Sequence, residues 1–140
     1  MTNMPNFIKR EIGKLEEIIS PVMKKASIYV IWSLPLVFFS MVNLVSSVFV
    51  IQENPNYRLF LLLSAVIGAL GMALSKEAKL KQKEVQKISA DYIIERIKKS
   101  DIVSDNIKNQ YISLVKEQPV KAIQHFIKFL EEENSRNNYY

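Results

Sequence analysis

The residues from which active sites are usually built are scarce in this chain. There is no cysteine and a single histidine, His125, so thiol nucleophiles, disulfides and sulfur-ligated metals are excluded and a histidine-built metal site lacks a second ligand of its kind. With three glycines in 140 residues there is no Gly-rich loop to cradle a phosphate. No serine, histidine and carboxylate set falls into a plausible pocket, and His125 reads as a solvated side chain on a polar helix face. The expectation is a protein with no catalytic residue, no cofactor and no metal, and therefore not an enzyme.

The polar residues that do stand out lie in apolar surroundings. Ser33, Ser40, Asn43 and Ser47 follow one another at seven, three and four residues, which aligns them along one face of a helix. A second stretch holds Ser64, Ala65, Gly68, Ala69 and Gly71, continued by Ala73 and Ser75, and small residues at steps of four let helix backbones approach closely. Hydrogen bonding and close packing between helices is the chemistry open to these two sets, or else a polar pathway centred on Asn43. No ionisable side chain accompanies them, so proton relays and charge-coupled transport lack their usual parts.

The elements that carry these residues are set by where charge is missing. From Ala26 to Gln52 there is no charged side chain; at about 1.5 Å per residue such a run exceeds a hydrocarbon core of roughly 30 Å. A second uncharged run, Leu59 to Ser75, is bounded by Arg58 and Lys76 and sits at the short end of the spanning range. The reading is a transmembrane helix within 21–52, an extracytoplasmic loop over 53–58 built on Gln52-Glu53-Asn54-Pro55-Asn56, and a second transmembrane helix over 59–75. Pro35 is expected to bend the first helix.

Positive charge then orients the pair. Lys9, Arg10, Lys14, Lys24 and Lys25 precede the first run and Lys76, Lys79, Lys81, Lys83 and Lys87 follow the second, whereas the connector side has only Arg58. The positive-inside rule places both termini in the cytoplasm, and Tyr29, Trp32 and Tyr57 suit the interfacial belts. The first run starts too late, is too long and lacks a small-residue cleavage site, so it is not read as a signal peptide. Lys24, Lys25, Lys76, Lys79, Lys81 and Lys83 can also meet anionic headgroups, which makes membrane lipids the first expected partner. The preference for Lys over Arg, with frequent Ile and Asn, points to an AT-rich bacterial genome and hence a bacterial cell membrane.

Outside the spans the pattern is amphipathic. Ile8, Ile12, Leu15, Ile19 and Val22 recur at steps of four and three, so 1–20 is a cytoplasmic helix, expected to pack on the C-terminal region and to end at a Ser20-Pro21 break and restart. Residues 76–133 form a cytoplasmic module in which the second span continues to about Ser100 and two short helices follow. The first, capped at Ser104-Asp105, carries Ile107, Tyr111, Leu114 and Val115. The second starts at Gln118-Pro119, with Val120, Ile123, Ile127 and Leu130 on one face and Phe126 and Phe129 beside it. Glu131, Glu132 and Glu133 oppose the helix dipole, so this end is expected to fray into a polar tail over 134–140.

The paired short helices invite a helix-turn-helix reading, with Lys121, Gln124, His125 and Lys128 facing a groove. Against it, the net charge of +5 lies elsewhere: from Ser100 onward Lys108, Lys116, Lys121, Lys128 and Arg136 are outnumbered by Asp101, Asp105, Glu117, Glu131, Glu132 and Glu133. A net-acidic module is a poor match to a polyanionic backbone, and no nucleic-acid partner is expected.

This layout of amphipathic N-terminus, Ser20-Pro21, two spans around Asn54-Pro55 and a Lys-rich exit into a helical tail resembles the YwnF-like family of small uncharacterised Bacillus membrane proteins, over nearly the full chain. The resemblance implies a membrane location; it brings no activity and no site residues.

The chain is thus expected to be all-α: a two-span transmembrane hairpin with an amphipathic N-terminal helix and a cytoplasmic C-terminal helical module. Apolar stripes on helices too short to bury themselves favour a homo-oligomeric interaction or scaffolding module, with a cytoplasmic or membrane protein as a further partner. The alternative is a small oligomeric pore or transport accessory lined by Ser33, Ser40, Asn43 and Ser47.

Overall fold

A computed structural model describes residues 5–49 and 55–137. The first residues of the connector expected over 53–58, the end of the first span expected up to 52, the interfacial role given to the Tyr57 ring and the last three residues of the tail lie outside what is described. Among the described residues there are helices and no strand: α1 (Asn6–Phe49), α2 (Pro55–Lys98), α3 (Asp105–Glu117) and α4 (Ala122–Asn137), with a single 3-10 turn, Pro119–Lys121, leading into α4. Two of them, α1 and α2, are long and apolar enough to cross a membrane.

The chain divides into two compact units, Val22–Gln82 and a second formed by Met1–Pro21 with Lys83–Tyr140. In the first, the middle of α1 lies antiparallel to the start of α2: Ser40 meets Ser64 and Gly68, while Val37 and Leu36 meet Gly71, so the numbers fall on one helix as they rise on the other. The buried positions of α2 here are Ser64, Gly71 and Ala78, seven residues apart, with Gly68 and Ser75 half-buried between them, which is the period of two helices that stay in register along their length.

The second unit has an apolar core. Ile8, Leu15 and Ile19 of α1, Ile93 and Ile97 of α2, Val103 of the α2–α3 turn, Val115 of α3 and Ala122, Phe126, Phe129 and Leu130 of α4 form one buried cluster. The Tyr111 ring stands edge-on to that of Phe129, with centroids 5.5 Å apart, an arrangement that aromatic quadrupoles favour.

Four local expectations are corrected. The break at Ser20-Pro21 does not occur: α1 is helical through both Pro21 and Pro35. Proline removes one backbone hydrogen bond at a cost of about 3 kcal/mol, but Ile19 and Ala26 are buried on either side of Pro21, so packing holds the helix together across it. The loop does not reach residue 58, because α2 starts at Pro55; at the first helical position a missing N–H costs nothing and the fixed φ suits the turn.

On α4 the buried face is Ala122, Phe126, Phe129, Leu130 and Glu133, and Val120 and Ile123 are left 80% and 40% exposed. Two phenylalanines bury more area than a valine and an isoleucine, so the helix turns to their side. Nor does this helix end at Glu133, since α4 continues to Asn137. Its glutamates are held by partners rather than left against the dipole. Glu132 pairs with Arg136 at 3.0 Å and accepts a hydrogen bond from Tyr111 at 3.1 Å, and Glu133 turns into the core.

Candidate functional site

The helix pair of Val22–Gln82 presents the residues that the spacing singled out, and it sorts them. Ser33 and Ser40 are buried on α1 and Ser64 and Gly71 on α2. The Ser40 hydroxyl donates to the Ser64 carbonyl at 2.9 Å, a bond between helices. A Cβ at Gly68 would lie 2.3 Å from Ser40 Oγ, and one at Gly71 would lie 2.8 Å from Val37 Cγ2 and 3.0 Å from the Val37 backbone nitrogen. A Cβ at either place would collide with α1, so Ser64, Gly68 and Gly71 form the face that meets α1.

Other members of the set go elsewhere. Ala65 and Ala69 are exposed on the outer side of α2. Ser33 donates to Val30 O at 3.1 Å, Asn43 to Phe39 O at 2.8 Å and Ser47 to Leu44 O at 2.6 Å, each within its own helix. The polar stripe therefore satisfies its donors inside the chain.

The outward side of this pair is apolar. Ile31, Trp32, Leu34, Phe38 and Met41 of α1 and Leu59, Leu62, Leu70 and Met72 of α2 are each more than half exposed. Large apolar residues outside and serine, glycine and alanine inside is the reverse of the distribution found in water-soluble cores. Lys24, Lys25, Lys76 and Lys79 are exposed, Lys81 is partly covered, and Lys83 opens the other unit.

That other unit holds a charged cluster which the spacing argument missed. Arg96 of α2 reaches two carboxylates: its Nε donates to Glu11 Oε2 at 3.3 Å, and its Nη2 and Nη1 donate to Glu133 Oε2 and Oε1 at 2.9 and 3.3 Å. Lys14 holds the second oxygen of Glu11 at 2.8 Å, and the Ser100 hydroxyl donates to Glu133. Both carboxylate side chains are about a tenth exposed, so desolvation is large and pairing is required.

Burial alone would raise Glu11, but the Lys14 ammonium and then the Arg96 guanidinium overrule it and hold the carboxyl below its ordinary range. Burial works against the Arg96 cation too, and Glu133 followed by Glu11 outweighs it, raising the guanidinium. The Tyr111 phenol is raised by burial and by Glu132 and Glu131. With all four carboxylate oxygens engaged, the cluster ties α1, α2 and α4 together. An open cleft of about 220 Å³ runs beside it, lined by Lys14, Tyr92, Glu95 and Lys99 along with Glu11 and Arg96.

A signal for the cluster was present in the sequence. Glu11 falls between Ile8 and Leu15, Arg96 beside Ile93 and Ile97, and Glu133 one turn past Phe129 and Leu130, so each extends an apolar stripe with a charge. His125 is a further correction: its Nε2 is buried and, among the described residues, has no hydrogen-bond partner, so it is not a solvated side chain. Ser104 stands at the N-cap of α3 without a side-chain capping bond. Among the described residues no group of three or more histidines, cysteines or carboxylates gathers where it could hold a metal ion.

A family model described as a family of unknown function (DUF5392) matches residues 1–138. The uncharacterised protein YwnF of Bacillus subtilis strain 168 is 38% identical over 137 residues, covering 98% of this chain and 94% of that relative. No solved structure matches.

Proposed function

The chain belongs to the family of unknown function DUF5392, and from that premise, which supplies no activity, we propose that it is a two-span protein of a bacterial cell membrane whose helical unit is a cytoplasmic interaction or scaffolding module. The observation that carries this is the inverted surface of Val22–Gln82. The most apolar eighteen-residue stretches of α1 and α2 are only 11% buried, whereas the core helix of a soluble protein covers its apolar side chains. In lipid the same surface needs no cover, and small residues inside give the close approach that replaces the hydrophobic effect. Lysines at the two ends and their scarcity at the connector support cytoplasmic termini.

The interaction reading rests on Met1–Pro21 with Lys83–Tyr140. This unit saturates its buried charges internally and leaves Ile102, Val120 and Ile123 exposed, a surface suited to another protein. Packing, not conduction, is favoured for the polar stripe because each of its four side chains donates a hydrogen bond to a backbone carbonyl within the chain.

Two measurements test the reading. The full chain stays in the membrane pellet through alkaline carbonate and requires detergent for extraction; a monodisperse, detergent-free soluble form overturns the membrane assignment. A photo-reactive residue at Ile123 yields a discrete protein adduct in intact membranes that Val120→Glu abolishes. Adducts to lipid alone, or none, overturn the module.

A further inference from the structure

The lysines that leave the second apolar run do not all serve as simple flanks. Lys83 and Lys87 stand one turn apart on α2 and line an open groove of about 320 Å³ whose opposite wall carries Lys116 of α3 and Pro119. Ile94 and Val115 contribute apolar surface to the same groove, and Gln86 offers an amide at its edge. Among the described residues none of the three lysines takes part in an ion pair. The groove also contains one anion, Asp91. Three ammonium groups against one carboxylate leave a local excess of two positive charges around a space several times larger than a phosphate group.

Surface lysines normally point apart into water, because like charges repel and each ammonium is best hydrated alone. Here two elements bring three of them to one groove with apolar surface between them, an arrangement suited to an anion that carries more than one charge on a compact head and an organic body behind it. We propose that this groove binds a phosphate group, the phosphate of a lipid headgroup or of a small soluble phosphate ester, with Lys83, Lys87 and Lys116 as its cationic contacts. Lysine answers phosphate as a point charge, without the bidentate fork that a planar carboxylate prefers. Lys83 is eight residues along α2 from Ser75, which is about 12 Å of helix. A headgroup that projects from the bilayer and a ligand from solution can both reach it.

The test reads lysine reactivity on the full chain by chemical acetylation and mass spectrometry. In phosphate-free maltoside micelles, inorganic phosphate is added against chloride at matched ionic strength. In reconstituted vesicles, digalactosyldiacylglycerol, which carries no phosphate, is compared with the same lipid containing phosphatidylglycerol. Lys83, Lys87 and Lys116 become protected while the exposed Lys128 of α4 does not, in the phosphate arm for a soluble ester and in the phosphatidylglycerol arm alone for a headgroup.

Lys116→Gln raises the half-protecting concentration at Lys83 and Lys87 about fivefold, the weight of one cation at such a surface. Asp91→Asn lowers it, a gain that misfolding cannot imitate. Protection in neither arm overturns the proposal, as does protection indifferent to both substitutions. If the chain proves soluble without detergent, the phosphate arm still runs in buffer, so failure of the membrane assignment and failure of the groove are separate results.

Discussion

Arg96 is the residue on which the charged cluster turns. Among the described residues it alone pairs with both Glu11 and Glu133, and each carboxylate is about nine-tenths covered. Removing the guanidinium leaves two buried anions uncompensated, so Arg96→Ala should lower unfolding stability by about 3 kcal/mol, read from a denaturant or thermal curve in detergent. Arg96→Lys should recover only part, because an ammonium cannot span two carboxylates as the planar fork does. Glu11 adds a pH signature. Its carboxyl is held below the ordinary value of 4.5, so its contribution is complete above that pH and fades as acid carries the protein down through the lowered folded value. The melting-temperature gap between the native chain and Glu11→Gln should therefore be constant near neutrality and close on acidification below about pH 4.5. A gap that widened in acid would refute the assignment. The spacing does not join these three charged residues, and Glu133 reads only as a charge against the helix dipole, because a charge inside an apolar stripe has no visible partner until the fold brings together Glu11, Arg96 and Glu133, which are 85 and 37 positions apart in pairs.

Helix pairing shows what periodicity can and cannot convey. Ser64, Gly68 and Gly71 were legible as a packing face because their size admits close approach, yet Ala65 and Ala69 met the same criterion and lie outside. Small residues mark where a partner can come near; the register of steps of four and three decides which of them it does meet. Glycine substitutions separate the two cases. Gly71→Ala forces a Cβ to 3.0 Å from the Val37 backbone nitrogen, which cannot move without the helix, so a loss of about 1–3 kcal/mol is expected. At Gly68 the obstacle is Ser40 Oγ, and rotating it away forfeits its bond to Ser64, a smaller loss of about 0.6 kcal/mol with some added crowding. Gly13 is the control, because nothing lies within 4 Å of a Cβ built there; Gly13→Ala should stabilise α1 by about 0.5–1 kcal/mol. Thermal unfolding of the three variants should rank Gly71→Ala lowest and Gly13→Ala above the native chain. The α4 face was misjudged for a related reason: Val120, Ile123 and Phe126 all fit one helical stripe or its neighbour, and only the competition for core volume selects the aromatic side.

For the whole molecule the decisive question is which solvent meets the apolar surface of Val22–Gln82, and the chain supplies its own means of asking. It contains no cysteine, so a single introduced thiol reports one position without background. Asn6→Cys and Asn137→Cys stand near the ends of α1 and α4, and under the proposed topology both face the cytoplasm. A membrane-impermeant maleimide applied to intact cells should leave them unlabelled until the cells are opened. Asn54→Cys, in the connector between the uncharged runs, should react at once. Leu34→Cys and Phe38→Cys, each more than half exposed on the outer side of α1, should resist the water-borne reagent in both conditions, because the thiol is surrounded by hydrocarbon where no thiolate forms. This last pair discriminates most sharply. In a water-soluble protein the exposure of positions 34 and 38 would make them react at once in opened cells, faster than any buried residue. In a bilayer the same exposure makes them the least reactive of the set. Restoration of their labelling by detergent that strips the lipid would identify the bilayer, not a protein partner, as what covers them, while ready labelling before detergent would place this surface in water and remove the membrane anchor from the proposed function.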